Sequence, residues 1–595
     1  VVAAAVCALA LVAAGALAVR WWPRTPVKLE PRQVAVAVFE NRTGDRSLDG
    51  LGRSIAEAIT ESLGQIGTIK VVPSATAMQA AASRSLFGSG GDPVRKLADA
   101  TGSGLVVSGA YELQGGTLWV RTSITDTVAN QPLYPLAPAK VAREKALDAV
   151  DAVQQQVLDT VAARYLSPWD NLLIEEVRPP RFEAQREFRL ARDLFQSDLR
   201  ASAEHCRKAS EIDPDFFMPH LELGDALGNL GDLANAEHNV IFHWNKPLTP
   251  VAQMRRDAVK ANSAYPPQPL EWLRFARELP KLVPESVADT AWWVWIAFES
   301  NYPAEAIEAF HKPVRWDLLL RPSSPAGAFL YMNVCGALHQ LGRHDEELQE
   351  ARKAAAIYPG LHNPRAFEAR ALAAMGRLDD LNRLIDEVVT SGFQAFSHFY
   401  FYRGSPGYVM LSAAEELRAH GHAAAALALA NRAVDWYRGR TGEEARRDDI
   451  REGLVAALYQ AERWPEAREA CQNLLRLMPD DSIVNHGRRV YVEGRLGSIA
   501  ARIGDAAEAR RIAERLRRDT TPYLTGDHLA RAARILALLG DKEGAVDLLR
   551  EAVAQANGYG ESPDAYGYAF IYSHNMDLES LRGYPPFEEL IKPKG

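Results

Sequence analysis

Cysteine is close to absent from this chain. Four occur in 595 residues, Cys7, Cys206, Cys335 and Cys471. None belongs to a CxxC pair, and the last three are more than a hundred residues apart. That argues against a disulfide framework and against a finger-type zinc site. They read instead as small buried apolar residues. A basic excess is also missing. The formal net charge is −8, spread along the chain, so no nucleic-acid partner is expected.

Catalytic motifs are missing too. There is no glycine loop over ATP, no HRD and no DFG, the set a protein kinase needs. No H-E-x-x-H occurs. Gly404-Ser405-Pro406-Gly407 is not G-x-S-x-G, which requires one residue on each side of the serine. His420 and His422 are two apart, which on a helix points them to different faces. The reading is therefore of a chain that is not an enzyme, with no catalytic residue, no cofactor and no metal.

One stretch tests that reading. In "VAVAVFENRTGDRSLDGLGRSIAEAIT" an apolar strand runs into a loop with Gly44, Gly50 and Gly52, and a helical pattern follows. Strand, glycine loop and helix is how phosphates are often held. A Walker loop needs G-x-x-x-x-G-K-[ST], and this loop has neither the lysine nor the spacing. A dinucleotide fingerprint needs G-x-G-x-x-G at the strand–helix turn; only Gly50 and Gly52 are close, and they lie at the helix start. Asn41, Gly44 and Asp45 are turn formers, and Ser47 or Asp49 is placed to cap the helix. The loop reads as a turn.

What is present is ordinary in bulk: 47% hydrophobic and 24% charged residues, in a length that implies three or four domain-sized units. The first residue is valine, and an upstream portion is expected. Residues 1–19, "VVAAAVCALALVAAGALAV", carry no charge. As a helix they would span roughly 28 Å, the thickness of a bilayer core. "RWW" follows, as at a membrane interface. The preferred reading is a single transmembrane helix, and the alternative is a signal peptide cut after Ala18. A linker, 20–32, comes next.

Residues 33–166 alternate. "QVAVAVF" and "TIKVVP" read as strands. "SLDGLGRSIAEAITESLGQI" carries a helical stripe. "PVRKLADATG" is a short helix with Gly102 as its C-cap. "GLVVSGAYELQGGTLWVRTSITDT" is a hairpin turning at Gly115-Gly116, and "REKALDAVDAVQQQVLDTVAARYL" is a long helix. This is a small α/β domain, followed by a linker, 167–183. "VAVFENRTGDRSLDGLGRSIAEAITESL" resembles the α/β module related to the amino-terminal domain of TolB. That module often follows the membrane span in bacterial serine/threonine kinases and membrane-bound winged-helix regulators. The resemblance implies a sensory, extracytoplasmic module.

Past residue 184 one pattern recurs: small-x-x-apolar-x-x-x-glycine, then five residues to a small or apolar one. "LGDALGNLGDLANAEHNV" gives Gly224, Leu227, Gly231 and Ala236. "LGSIAARIGDAAEARRIAERL" gives Gly497, Gly504 and Ala509. Further copies turn at Gly342, Gly376, Gly421 and Gly540. Glycine ends a first helix, and small residues let two helices approach. A lone hairpin cannot bury its apolar face, so hairpins stack. The pattern resembles the tetratricopeptide repeat, whose period is about 34 residues, over residues 184–556. Residues 244 to 322 are interrupted by prolines, which leaves a count of eight to ten. The end, 557–595, is similar to the tail of many repeat-bearing bacterial kinases and regulators, and is expected to be a polar-faced cap on the last repeat.

The fold expected is thus mainly α: a repeat solenoid preceded by a small α/β domain and a transmembrane helix. In the repeat family, ligand peptides lie in the concave groove against first helices. Carried over by register, this names His339, Arg370, Tyr408, Glu415, Arg418, Tyr459, Tyr491 and Arg534 as partner-binding residues. Several arginines on one groove would clamp carboxylates; the alternative for each residue is a solvated helix face. Two aromatic clusters, Trp292, Trp293 and Trp295, and Phe393, Phe396, Phe399, Tyr400, Phe401, Tyr402 and Tyr408, are either helix-packing core or a binding surface. The expected function is a membrane-anchored, extracytoplasmic interaction region that binds a protein or peptide, the non-catalytic part of a signalling receptor. A stand-alone envelope scaffold is the alternative.

Overall fold

The computed structural model describes residues 27–85, 92–167, 171–195, 197–232, 235–322, 324–391, 405–559 and 567–595. The transmembrane reading of residues 1–19, Cys7, and the aromatic residues Phe393 to Tyr402 lie outside the described residues. Among those described, no helix is long and apolar enough to cross a membrane. The chain is mainly helical and divides into two compact units, one formed chiefly by the residues up to Ser167 and the other chiefly by those from Arg186 to Gly595.

The first unit is built on a sheet. Strand β1 (Glu30–Val36) lies parallel to β3 (Lys70–Val71) on one side and β4 (Ser103–Gln114) on the other. The short β2 (Glu40–Asn41) also pairs with β4. β5 (Thr117–Asp126) is antiparallel to β4, and β6 (Gln131–Pro132) and β7 (Ala139–Ala142) both pair with β5. Alternation sorts the side chains of β1. Val34 and Val36 enter a core with helices α1 (Leu51–Leu63) and α4 (Asp148–Tyr165). Ala35 and Val106 face the other way, toward α2 (Ser74–Ser85) and α3 (Pro93–Thr101). Both faces of the parallel strands are therefore covered, which is why Val34, Ala35 and Val36 are all apolar and buried. Gly115 and Gly116, both at positive φ, make the two-residue turn between β4 and β5.

The glycine loop is a closed turn. Asn41 Oδ1 accepts from the Thr43 backbone N–H at 2.9 Å, and its Nδ2 donates to the Asp45 carbonyl at 3.0 Å and to Asp49 at 2.7 Å. The capping expectation needs correction. Asp45, not Ser47 or Asp49, caps the short turn Arg46–Leu48 by accepting from the Ser47 N–H. Asp49 is taken by the Asn41 amide, so α1 begins at Gly50 with no side-chain cap. Gly52 is required by packing: a Cβ there would lie 2.1 Å from the Phe39 carbonyl oxygen.

In the second unit, helices follow one another in pairs from Met218–Asn229 to Lys542–Ala554. At the repeat turns Gly231, Gly342, Gly376, Gly421, Gly504 and Gly540 all have φ between 66° and 92°, the left-handed value that ends a helix. Where a copy lacks the glycine, Asn301 (φ 69°) and Glu462 (φ 57°) take the same conformation. At the small position Gly497, a Cβ would sit 2.2 Å from Ile535 Cδ1. The prolines between residues 244 and 322 do not all interrupt helices. Pro250, Pro269 and Pro303 begin them, where a missing N–H costs nothing. Cys206, Cys335 and Cys471 are fully buried free thiols.

Candidate functional site

First helices of successive hairpins present the residues named from sequence, and most are buried. His339 ends the helix Pro325–Gln340, Arg370 lies on Asn363–Ala374, and Tyr459 ends Asp448–Gln460. Their exposures are 4%, 7% and 0%. Tyr491 and Arg534 are buried as well, on Ile483–Arg502 and Asp527–Leu538. Tyr408, Glu415 and Arg418, on Pro406–Ala419, are half-buried. The reading of these positions as a solvated face fails for the five buried ones.

The group that covers the middle of this surface is the chain's own C-terminal segment. Its helix Tyr568–His574 lies against Pro406–Ala419. Arg370 sets its guanidinium 4.1 Å over the Phe570 ring, a cation–π contact in a desolvated place. Tyr459 donates its hydroxyl to Asp577 at 2.5 Å, and Arg502 donates to the same carboxylate at 2.9 Å and to the Met576 carbonyl at 3.0 Å. Farther along the fold, Asn301 donates to Tyr568 Oη at 3.2 Å and to the Lys592 carbonyl at 2.7 Å. The expected polar cap is thus only part of what 567–595 does. Leu578, Leu581 and Phe587 do close the core of the last repeat. Phe570, His574 and Asp577 instead enter the groove, because helices far apart in sequence curve round to meet them.

At the centre is a buried charged cluster. Glu416, fully buried, accepts from Arg370 on Oε1 at 2.6 and 3.1 Å. Its Oε2 lies 3.1 Å from His339 Nε2 and 3.3 Å from His574 Nε2. The other ring nitrogen of His339 donates to Glu347 at 2.7 Å. Burial opposes a charge on His339, but Glu416 and Glu347 outweigh it and raise its pKa to about 9. Burial, helped by the charges of His339 and Arg370, pushes His574 down to about 3. Glu416 is held well below the usual carboxylate range because His339, His574 and Arg370 overcome its burial. Two carboxylates then face one imidazolium and one guanidinium, a neutral set, which is how charges are kept in an interior. Asp577 is treated alike: burial opposes its ionisation, and Arg502 and Arg495 overcome it.

Sequence reasoning missed Glu347, Glu416, Arg502, His574 and Asp577. Glu416 is one residue from Glu415, so the helix face was read one position out. The tail spacing, phenylalanine, then histidine four on and aspartate three after that, was the available signal.

A second concavity lies elsewhere in the helical unit. A cavity of about 500 Å³ is bordered by Trp272, Trp292, Trp295, Phe329 and Tyr559. Trp272 meets Trp295 edge to face at 4.9 Å and Tyr559 at 5.7 Å, so part of the first aromatic cluster is packing. Trp293 points elsewhere and donates to Glu305 at 2.6 Å. Among the described residues, Trp295 Nε1 and Asn333 Oδ1 have no hydrogen-bond partner.

No protein-family profile matches the chain, and no curated protein matches it. Solved structures with a weakly similar fold include yeast Tom70, 12% identical over 76% of this chain and 96% of that one, with a TM-score of 0.33. A tetratricopeptide repeat protein from Parabacteroides merdae is 12% identical over 50% of this chain and 98% of that one, with a TM-score of 0.26. A monomeric mutant of IFIT1 with Gppp-AAAA is 12% identical over 75% and 78%, with a TM-score of 0.31.

Proposed function

We propose that the helical unit is a recognition solenoid for a protein or peptide segment, and that its C-terminal segment occupies the recognition groove in the absence of that partner. The observation that carries this is the set of three anchors. Phe570 is under Arg370, His574 is against Glu416, and Asp577 is held by Tyr459 and Arg502. A short helix bearing an aromatic ring and, beyond it, a carboxylate is the chemistry this groove accepts. Any partner that offers the same pattern competes with the tail.

A labelled peptide of residues 567–580 tests the reading by fluorescence anisotropy. The wild-type chain, whose groove is filled, is expected not to bind it. A Phe570→Ala/Asp577→Ala chain, whose own tail is weakened, is expected to bind. Failure of the peptide to bind the double variant removes the proposal.

The apolar stretch 1–19 and the resemblance of residues 36–63 to a TolB-related module support a wider placement. In it the solenoid is the membrane-anchored, extracytoplasmic sensory part of a kinase or winged-helix regulator, and no reaction is assigned to it. A topology reporter fused at Gly595 is expected to report an extracytoplasmic end, and a cytoplasmic signal contradicts this. A reading frame that opens upstream with a signal peptide, and no effector domain, favours an envelope scaffold instead.

A further inference from the structure

The buried cluster has a geometry that hydrogen bonds do not complete. His339 donates its Nδ1 hydrogen to Glu347, and His574 donates its Nδ1 hydrogen to the Phe570 carbonyl at 2.6 Å. Neither acceptor carries a hydrogen, so each ring's tautomer is set and each Nε2 turns inward. The two Nε2 atoms are 3.0 Å apart, and each is near Glu416 Oε2, at 3.1 and 3.3 Å. The three atoms form a small triangle that holds a single hydrogen, the one on Nε2 of the His339 imidazolium. One proton lies on one edge at a time and leaves another edge as a contact between lone pairs.

A divalent cation satisfies all three edges. In tetrahedral zinc coordination with bonds of 2.0–2.1 Å, neighbouring ligand atoms are about 3.3–3.4 Å apart. The edges here, 3.0 to 3.3 Å, need only a slight opening. The outer contacts are those of a metal site as well: one histidine backed by a carboxylate, the other by a backbone carbonyl. Glu347 is fully buried, and its Oε1 has no hydrogen-bond partner among the described residues. A recess of about 770 Å³, lined by His339, His344, His420 and His574, opens beside the triangle. It borders both imidazole rings of the triangle.

We propose that His339 Nε2, His574 Nε2 and Glu416 Oε2 bind a borderline divalent cation, zinc first, with the fourth position facing this recess. Two imidazoles and one carboxylate suit zinc or cobalt and not magnesium or calcium, which take oxygen ligands. Binding releases the Nε2 proton of His339 to solvent; with Glu347, Glu416 and Arg370 the bound cation then leaves one positive charge, which a hydroxide or chloride at the fourth position neutralises. The cation ties the tail helix to Pro325–Gln340 and Pro406–Ala419 at once, so it latches the C-terminal segment in the groove. This rests on the docked tail of the structure and not on any outside partner, so the peptide experiment above and the one below fail separately.

The test uses the untagged chain, stripped with chelator and titrated with Co²⁺ alone. One equivalent is expected to give the intense visible absorption of four-coordinate cobalt, displaced by Zn²⁺ and not by Mg²⁺. His574→Ala is expected to lose the band and at least about tenfold in affinity while keeping its helical circular dichroism. His574→Cys is expected to bind Co²⁺ and gain a sulfur-to-cobalt charge-transfer band, which a purely structural role for His574 does not produce. No band in the wild-type chain, an unchanged band in His574→Ala, or no charge-transfer band in His574→Cys overturns the proposal.

Discussion

Two concave regions of the helical unit are finished in opposite ways. Around Glu416 the groove is filled by the chain's own tail, and its polar anchors are matched: guanidinium on carboxylate, phenol on carboxylate, arginine over ring. Around Trp272 the cavity is lined with aromatic rings, and two polar atoms, Trp295 Nε1 and Asn333 Oδ1, have no hydrogen-bond partner among the described residues. Both regions are made by the same kind of element, paired helices, which turn through glycine around Glu416 and through other residues, such as Asn301, around Trp272. The difference therefore lies in which long-range partner reaches each one. It teaches that a repeat groove is a frame, and that its energetics are set by what comes back to sit in it.

The sharpest way to break this contrast is Glu416→Ala. It removes the carboxylate that Arg370 and His339 share and leaves Glu347 as the remaining carboxylate of the cluster, a loss of about 3–5 kcal/mol, read as a fall in the urea midpoint for this unit. Asp577→Asn comes next, at about 2–3 kcal/mol near neutral pH, because Arg502 loses a charged acceptor. Here the sign with pH is fixed. The Asp577 carboxyl is depressed in the fold, so its contribution is present above the ordinary carboxyl value near 3.8 and is lost as the pH falls through the folded value. Urea titrations at falling pH are expected to bring wild type and Asp577→Asn together; a gap that stays constant breaks the assignment.

Tyr459→Phe removes one hydrogen bond to that carboxylate while Arg502 remains, at about 1–2 kcal/mol. The smallest effect is expected at the other concavity. Asn333→Leu discards an oxygen with no partner among the described residues and a side-chain donor that bonds the Phe329 carbonyl of its own helix. It is expected to be neutral or to raise the thermal midpoint slightly. A loss as large as that of Tyr459→Phe would mean the two regions are not different in kind.

Local features were legible. Gly102, Gly115, Gly116 and the repeat glycines were read from sequence as turn or cap residues because their role depends on their own φ. His339, Arg370 and Tyr459 were named from the register of the repeat resemblance, and in the structure they meet the C-terminal segment. Their use was not legible. His339 meets His574 across 235 residues, and Tyr459 meets Asp577 across 118. A contact at that separation leaves no period in the sequence, since only the summed curvature of the intervening hairpins decides which residues coincide. The capping of α1 failed for a related reason at short range, since the Asn41 amide and the helix end competed for the same Asp49 carboxylate.

The sequence by itself determined a chain of helical hairpins after an α/β unit, because turn glycines, small contact residues and strand alternation act within a few residues of themselves. Only the tertiary structure decided that the groove is closed by residues 567–595 and that His339, Glu416 and His574 point at one another. Charge pairing and ligand geometry depend on distance in space, and here that distance is set by hundreds of residues of stacked helices.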